Sequence, residues 1–167
     1  MQKSCCIDID GVLNCYPQPW LHFLKIRGYP FEKIGEAKRG LSYEDYNNLK
    51  TLYRHSLEKR YQQPRKGATE FTAKLTDMGY HIILNTSRPI QEHPHLIDWT
   101  QDWLKEHGFT YNETMFNRHH PTQIPDTHPN LEFIVDDDQD TIILFQKLGI
   151  QTFLFDDNFD KILEALR

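Results

Sequence analysis

The stretch SCCIDIDGVL, residues 4–13, decides the fold of this chain. Its first residues are small or apolar and predict a buried strand that ends near Ile9. Asp8 and Asp10 stand at the end of this strand, and residues two apart on an extended chain point to the same face. Gly11 permits a sharp turn that would direct both carboxylates toward one ligand. The stretch therefore predicts a strand whose end carries a pair of chemically active acids.

Strands and helices alternate over most of the remaining chain. Short apolar runs predict further strands at 81–84, 114–116, 131–135 and 151–155. Amphipathic segments predict helices at 68–78, 96–104, 141–148 and 161–166. This alternation is typical of an α/β fold, in which helices flank both faces of a Rossmann-like parallel sheet.

Polar side chains follow several of these predicted strands. They are Asp8 and Asp10, then Thr86, Ser87 and Arg88, and finally Asp136 and Asp137. Because ligands of open parallel sheets bind at the carboxyl ends of the strands, we expect four carboxylates to meet at one point. Unpaired carboxylates this close would raise each other's pKa, and a divalent cation removes that conflict. An all-oxygen ligand set favours a hard ion, so the sequence predicts a Mg²⁺ site.

Residues 14–66 interrupt the alternation and are called the insert below. The insert shows helical spacing, with one helix predicted around Trp20 and a second from Ser42 to about Arg60. It carries eleven Lys/Arg against five Asp/Glu, whereas the rest of the chain carries eight against nineteen. The sequence therefore predicts a core formed by residues 1–13 and 67–167 and a separate basic unit that faces something anionic, with a solvated helix face as the alternative.

The motif from Asp8 to Leu13 resembles the DxDGxL/T motif of the haloacid dehalogenase-like (HAD) phosphatases. An apolar strand ending in Thr86 is similar to the second motif of that family, and a strand ending in Asp136 and Asp137 is similar to the fourth. The motifs occur in the family's order along the whole chain. The resemblance implies a HAD-like fold and a Mg²⁺-dependent phosphomonoester hydrolase that works through an aspartyl-phosphate, with the insert as a small helical cap.

The resemblance also implies a role for each acid. Asp8 would be the nucleophile, and Asp10 would be the general acid and base. Asp136 and Asp137 would hold Mg²⁺ together with Asp8 and the backbone carbonyl of Asp10. Which residue of the Asp136–Asp137 pair binds the ion directly is left open.

Phosphate-binding roles follow for the residues around these acids. Thr86 would hydrogen-bond the transferring phosphoryl group, with Ser87 as the alternative, and Gly11 would lie beside it. Arg88 would bind either the phosphate or an acid. These roles come from the family pattern and are expectations for the structure.

The third motif departs from the family, which places a Lys ahead of the paired acids. No Lys occurs between Lys105 and Lys147. Arg118 stands at the corresponding place and can supply the same positive charge, and His120 is a second candidate. The missing Lys also keeps open a non-catalytic HAD-like binding or regulatory protein.

The expected partner is a small phosphorylated metabolite. The short insert and the sequence FIVDDDQ at 133–139 resemble the 5'(3')-deoxyribonucleotidase and polynucleotide 3'-phosphatase types, so a nucleotide is the first candidate and a nucleic-acid end the alternative. The apolar runs are too short to span a bilayer, and acids occupy the N-terminal region where a secretory signal would be apolar. Three cysteines, two of them adjacent, argue against a disulfide framework and favour the cytoplasm.

Overall fold

A five-stranded, wholly parallel sheet forms the centre of the computed structural model, which describes residues 2–116 and 123–167. The strand order is β3-β2-β1-β4-β5. The strands are β1 (Ser4–Asp8), β2 (His81–Thr86), β3 (Glu113–Phe116), β4 (Leu131–Asp136) and β5 (Gln151–Leu154). The sequence-based expectation of an α/β parallel sheet flanked by helices is confirmed.

Helices precede and follow these strands along the described chain. They are α1 (Gln18–Lys25), α2 (Ile34–Gly40), α3 (Tyr43–Arg54), α4 (Leu57–Arg60), α5 (Ala68–Asp77), α6 (His95–Glu106), α7 (Gln123–Thr127), α8 (Gln139–Lys147) and α9 (Phe159–Ala165). No helix within the described ranges is both long enough and apolar enough to cross a membrane.

Apolar side chains pack on both faces of the sheet because successive strand residues point to opposite sides. Cys5 and Ile7 of β1 belong to one buried cluster, whereas Cys6 belongs to another on the opposite face with Ile134 and Phe145. Both faces of β1 are therefore buried. This burial fixes β1 in the middle of the sheet, with its last residue at the carboxyl edge.

The insert contains α1 to α4 and has a hydrophobic cluster of its own. Trp20 lies at its centre, with ring centroids 5.7 Å from Phe23 and 5.3 Å from Tyr53. Two chain segments connect it to the sheet, where the backbone N–H of Arg65 donates to the Leu13 carbonyl at 2.8 Å. That the insert acts as a cap over a substrate stays a prediction.

Three details of the predicted elements are wrong. The helix expected from Ser42 to about Arg60 is broken, because α3 ends at Arg54 and the Ser56 side chain caps a new helix by accepting from the Lys59 N–H at 3.3 Å. The short helix α2 had no sequence signal strong enough to predict it. The helix α7 lies in a stretch for which the sequence predicts no helix, and it includes Pro125.

Candidate active site

The carboxyl ends of β1, β2 and β4 bring the predicted polar residues to one edge. In the parallel register, Asp8 pairs with Asn85 of β2, and Ile7 pairs with Val135 of β4. The position after Val135 is Asp136, so β1 and β4 carry their terminal acids side by side. These acids and the residues that follow β2 line one cavity of about 450 Å³.

A sharp turn at Ile9–Leu13 places Asp10 above the strand end. Gly11 has φ +105°, and a Cβ added to it would lie 2.1 Å from a carboxylate oxygen of Asp137. Only glycine therefore combines this backbone conformation with the close approach of Asp137. The buried Asn14 completes the turn, since its Oδ1 accepts from Gly11 N at 3.2 Å and its Nδ2 donates to Asp10 at 2.8 Å.

A second support of this turn comes from Arg65, at the end of the insert. Its Nη2 donates to the Gly11 carbonyl at 2.9 Å, and its Nε donates to the Val12 carbonyl at 3.2 Å. Asp157 forms an ion pair with the same guanidinium group. The turn is therefore fixed by Asn14 from within and by Arg65 from outside, two residues that the sequence reasoning missed.

Asp10 is held by two cations. Arg88 donates to both of its carboxylate oxygens, from Nε at 2.7 Å and from Nη2 at 2.9 Å, and Lys59 Nζ lies 2.9 Å from Oδ1. Burial by itself would raise the pKa of Asp10, but the charges of Arg88 and Lys59 outweigh it and hold the pKa well below its usual range. Asp10 is therefore ionised in this arrangement.

The second cation, Lys59, belongs to the insert. Its side chain is 7% exposed, and burial followed by repulsion from Arg88 lowers its pKa to about 8, although Asp10 opposes the change. Sequence reasoning looked for a cation ahead of Asp136 and missed this one. The Ser56 cap in front of α4 was a readable signal for the start of the helix that carries Lys59.

The other acids at this edge have pKa values that are raised, in contrast to that of Asp10. Burial, and then the neighbouring Asp136, raise the pKa of Asp8 well above its usual value. Burial raises the pKa of Asp136 to about 7, with repulsion from Asp137 and Asp138 adding to it and a hydrogen bond from the Asp138 N–H opposing it. Within the described part of the chain, no lysine or arginine forms an ion pair with Asp8, Asp136 or Asp137, in contrast to Asp10.

This crowding is the property expected of a cation site. Carboxylates that repel one another when ionised can share a divalent ion, and an all-oxygen donor set matches the preference of Mg²⁺. The chemistry of Asp8, Asp136 and Asp137 therefore fits a hard divalent cation. The Asp10 side chain does not belong to this donor set, because Arg88, Lys59 and Asn14 already occupy its oxygens.

Two buried polar atoms that lie along the cavity lack partners among the described residues. They are the Tyr53 hydroxyl and the Asn85 Oδ1. Lys50 lines the same wall, where its Nζ donates to the Tyr16 hydroxyl at 2.9 Å and lies 4.4 Å from the centre of the Trp20 ring. Burying polar atoms without partners costs free energy, so the cavity is suited to a ligand that would satisfy them.

The residues expected around a phosphate lie at different places in the chain's structure. Ser87 lines the cavity, whereas Thr86 is fully buried and donates from Oγ1 to Asp10 at 3.3 Å. Arg88 lies against Asp10, which agrees with its alternative assignment as the partner of an acid. Arg118 and His120 lie outside the described residues.

Solved structures of similar fold bear on this geometry. A hydrolase from Streptococcus pneumoniae TIGR4 is 12% identical, and 99% of this chain aligns with 98% of that chain at a TM-score of 0.66. A phosphonoacetaldehyde hydrolase-like protein from Oleispira antarctica is 17% identical, and 90% of this chain aligns with 71% of that chain at a TM-score of 0.59. A HAD-superfamily hydrolase from Ehrlichia chaffeensis is 15% identical, and 97% of this chain aligns with 95% of that chain at a TM-score of 0.50.

These identities are low, and the likeness establishes the fold. The chain has the HAD-like fold that the motifs around Asp8, Thr86 and Asp136 implied. No protein-family model matches the sequence, and no curated protein matches it.

Proposed function

We propose that this protein is a Mg²⁺-dependent phosphomonoester hydrolase in which Asp8 forms an aspartyl-phosphate. The observation that carries the proposal is the contrast between the two acids of the first motif. Asp10 is held ionised between Arg88 and Lys59, whereas Asp8 lies among acids that need a cation. A nucleophile beside a cation site and a separately controlled proton carrier are the parts this reaction requires.

The cation is assigned to Asp8, Asp136, Asp137 and the backbone carbonyl of Asp10. Mg²⁺ bound there would offset the charge of the phosphoryl oxygens and allow an anionic substrate to approach an anionic nucleophile. Lys59 and Lys50, both from the insert, add positive charge to the lining of the cavity. The fully buried Asn14 and the guanidinium of Arg65 keep the turn rigid while the charges around it change.

The first chemical step transfers the phosphoryl group to Asp8. A carboxylate oxygen of Asp8 attacks phosphorus, the bond from phosphorus to the ester oxygen breaks, and the departing oxygen takes a proton from Asp10. Asp10 first has to acquire that proton. An arriving phosphate would attract Lys59 away from Asp10, and both this loss and the charge of the phosphate would raise the pKa of Asp10.

The second step regenerates the enzyme. Asp10, ionised again after donating its proton, accepts a proton from water as the water oxygen attacks phosphorus. The bond between phosphorus and the Asp8 oxygen breaks, and inorganic phosphate leaves. Arg88 binds both oxygens of Asp10 and also donates to Thr100 Oγ1 at 2.5 Å, so it would keep the carboxylate oriented through both steps.

Lys59 takes the role that the family gives to the Lys of its third motif. It reaches the site from the insert, so a lysine that the sequence lacks ahead of Asp136 would come from another part of the chain. On this assignment, the missing third-motif Lys does not argue against catalysis. Arg118 stays a candidate for additional charge.

We propose a nucleotide as the substrate. The cavity wall formed by the insert combines the aromatic rings of Tyr16 and Tyr53 with the cations Lys50 and Arg54. An aromatic and cationic wall suits a leaving group with a flat ring and an anionic or hydrogen-bonding sugar. A nucleic-acid end offers the same groups. Its additional backbone phosphates would make its binding affinity more sensitive to salt than that of a nucleotide.

Turnover of an aryl phosphate tests the hydrolase proposal. Wild-type protein should release phosphate with Mg²⁺, lose this activity in EDTA and regain it when Mg²⁺ is restored. Asp8→Asn should reduce turnover below about 1% of wild type, whereas Asp140→Asn, an exposed acid outside the cavity, should retain it. Undiminished turnover in EDTA or in Asp8→Asn would exclude the mechanism.

A comparison of kcat/KM for nucleoside monophosphates, the aryl phosphate and a 3'-phosphorylated oligonucleotide tests the substrate proposal. A nucleoside monophosphate should be preferred, and its KM should depend less on salt than that of the oligonucleotide. Equal kcat/KM for the aryl phosphate and every nucleotide would remove the nucleotide assignment, and preference for the oligonucleotide would replace it with a nucleic-acid end.

A further inference from the structure

Two histidines and a glutamate meet at the amino end of the sheet, away from the candidate active site. His81 begins β2, Glu113 begins β3, and His128 directly follows α7. The candidate active site lies at the opposite end of β2, which is about 16 Å long at 3.3 Å per residue. The cluster is therefore separate from the residues assigned to catalysis.

One carboxylate oxygen lies between the two imidazoles. Nε2 of His81 and Nε2 of His128 are each 2.7 Å from Oε1 of Glu113. One potential ligand atom from each residue lies within 4.8 Å of the other two. The three side chains are partly exposed, from 17% at His128 to 37% at Glu113, so an ion and a water molecule could reach them.

The backbone holds the three residues in place. Ile82 N donates to Asn112 Oδ1 at 2.7 Å, and Asn112 N donates to the Ile82 carbonyl at 2.9 Å, which fixes the starts of β2 and β3 relative to each other. His128 N donates to the Ile124 carbonyl at 2.8 Å, so α7 positions the third residue. A preorganised cluster loses little conformational entropy on binding an ion.

We propose that His81, Glu113 and His128 bind a divalent transition-metal ion, with Zn²⁺ as the ion that best matches the donors. Two imidazoles and one carboxylate form a known protein ligand set for Zn²⁺, and imidazole favours transition metals over Mg²⁺. Zinc bonds of 2.0–2.1 Å at tetrahedral angles place donor atoms about 3.3 Å apart. The two histidine-to-glutamate separations of 2.7 Å need to open by about 0.6 Å, and the ligand atoms of the two histidines lie within 4.8 Å of each other.

Two further features match a metal site. Nδ1 of His128 lies 2.9 Å from Thr127 Oγ1, so the ring nitrogen that faces away from the ion has the polar contact that orients a ligating histidine. With three protein ligands and partial exposure, the fourth coordination position falls to water.

Calorimetric titration of the tag-free protein with Zn²⁺ tests the site. EDTA-stripped protein is titrated in excess Mg²⁺, so that the acids of the candidate active site are occupied. Wild type should bind one Zn²⁺ per chain, and His81→Asn, His128→Asn and the isosteric Glu113→Gln should each weaken binding about 100-fold or more. The matched control is His55→Asn, which should leave Zn²⁺ binding unchanged. His55 also contacts another histidine, since its Nε2 lies 3.2 Å from Nδ1 of His93.

Thermal unfolding distinguishes lost ligands from lost folding. At a Zn²⁺ concentration about 100 times Kd, the Tm of wild type should rise by roughly 5–10 °C. The three site variants should unfold near the wild-type Tm in EDTA and show no rise with Zn²⁺. Absence of Zn²⁺ binding to wild type, or binding that survives all three substitutions and is lost in His55→Asn, would overturn the proposal.

Discussion

Replacing Asp136 with asparagine should stabilise the metal-free protein strongly at pH 8 and roughly a third as much at pH 5. Burial and the neighbouring acids raise the pKa of Asp136 from 3.8 to about 7. A folded-state pKa above the unfolded value contributes stability that is fully present below about pH 4 and is lost as the pH rises through 7. Asparagine cannot ionise, and its Oδ1 can still accept from the Asp138 N–H, which donates to Asp136 at 2.8 Å.

The size of the effect follows from the two pKa values. A pKa that differs between 3.8 and about 7 corresponds to roughly 4 kcal/mol, which is an upper limit because neighbouring groups relax. We expect Asp136→Asn to gain about 2–4 kcal/mol at pH 8 in EDTA, or roughly 5–15 °C in Tm. Saturating Mg²⁺ should raise the Tm of wild type and have less effect on Asp136→Asn, because the variant has lost a ligand.

Urea and thermal unfolding at pH 5 and pH 8, each with EDTA and with Mg²⁺, provide the measurement. Asp140→Asn is the matched control, since it removes an exposed acid from the start of α8 and should behave like wild type. If metal-free wild type is equally stable at both pH values, and Asp136→Asn gains nothing at pH 8, then the carboxylates are not crowded enough to require a cation.

Three further substitutions examine the turn and the two lysines. Gly11→Ala should lower the stability by about 1–3 kcal/mol and weaken Mg²⁺ binding, because its Cβ would overlap a ligand carboxylate. Gly79→Ala, with φ +85° and open space, should lose stability alone. Equal Mg²⁺ affinity in the two variants would contradict this. Lys59→Met should lower kcat/KM about 100-fold, whereas Lys66→Met, which changes an exposed lysine, should lower kcat/KM less than twofold. A fully active Lys59→Met would remove Lys59 from the mechanism. Burial lowers the pKa of Lys50 to about 7, so KM for an anionic ester should rise above pH 7 in wild type and stay flat in Lys50→Met; identical profiles would show that Lys50 does not face the substrate.

Local patterns were sufficient to predict the sheet edge. A short apolar run that ends in polar residues favours a buried strand with its polar end at the edge of the sheet, which predicts Asp8, Thr86 and Asp136 at strand ends. The parallel order of the strands then brings these ends together, and the structure shows β1 between β2 and β4.

The partners of Asp10 could not be predicted in the same way. Lys59 lies 49 residues away from Asp10 along the chain, and its position depends on the helix break after Arg54 and on the packing of Tyr53 within the insert. Such a contact is a property of tertiary packing, which periodicity does not encode. Asn14 is different, because a short polar side chain after the Gly11 turn is a signal that could have been read.

Asp8 is proposed to carry the phosphoryl group during turnover. The most direct measurement is rapid acid quenching during hydrolysis of an aryl phosphate, followed by peptide mass spectrometry. Asp10→Asn, which lacks the base for the second step, should accumulate one phosphoryl group on the peptide that contains Asp8, and the double variant with Asp8→Asn should contain none. Turnover with no phosphorylated Asp8 at any quench time, or a phosphoryl group on another residue, would contradict the claim.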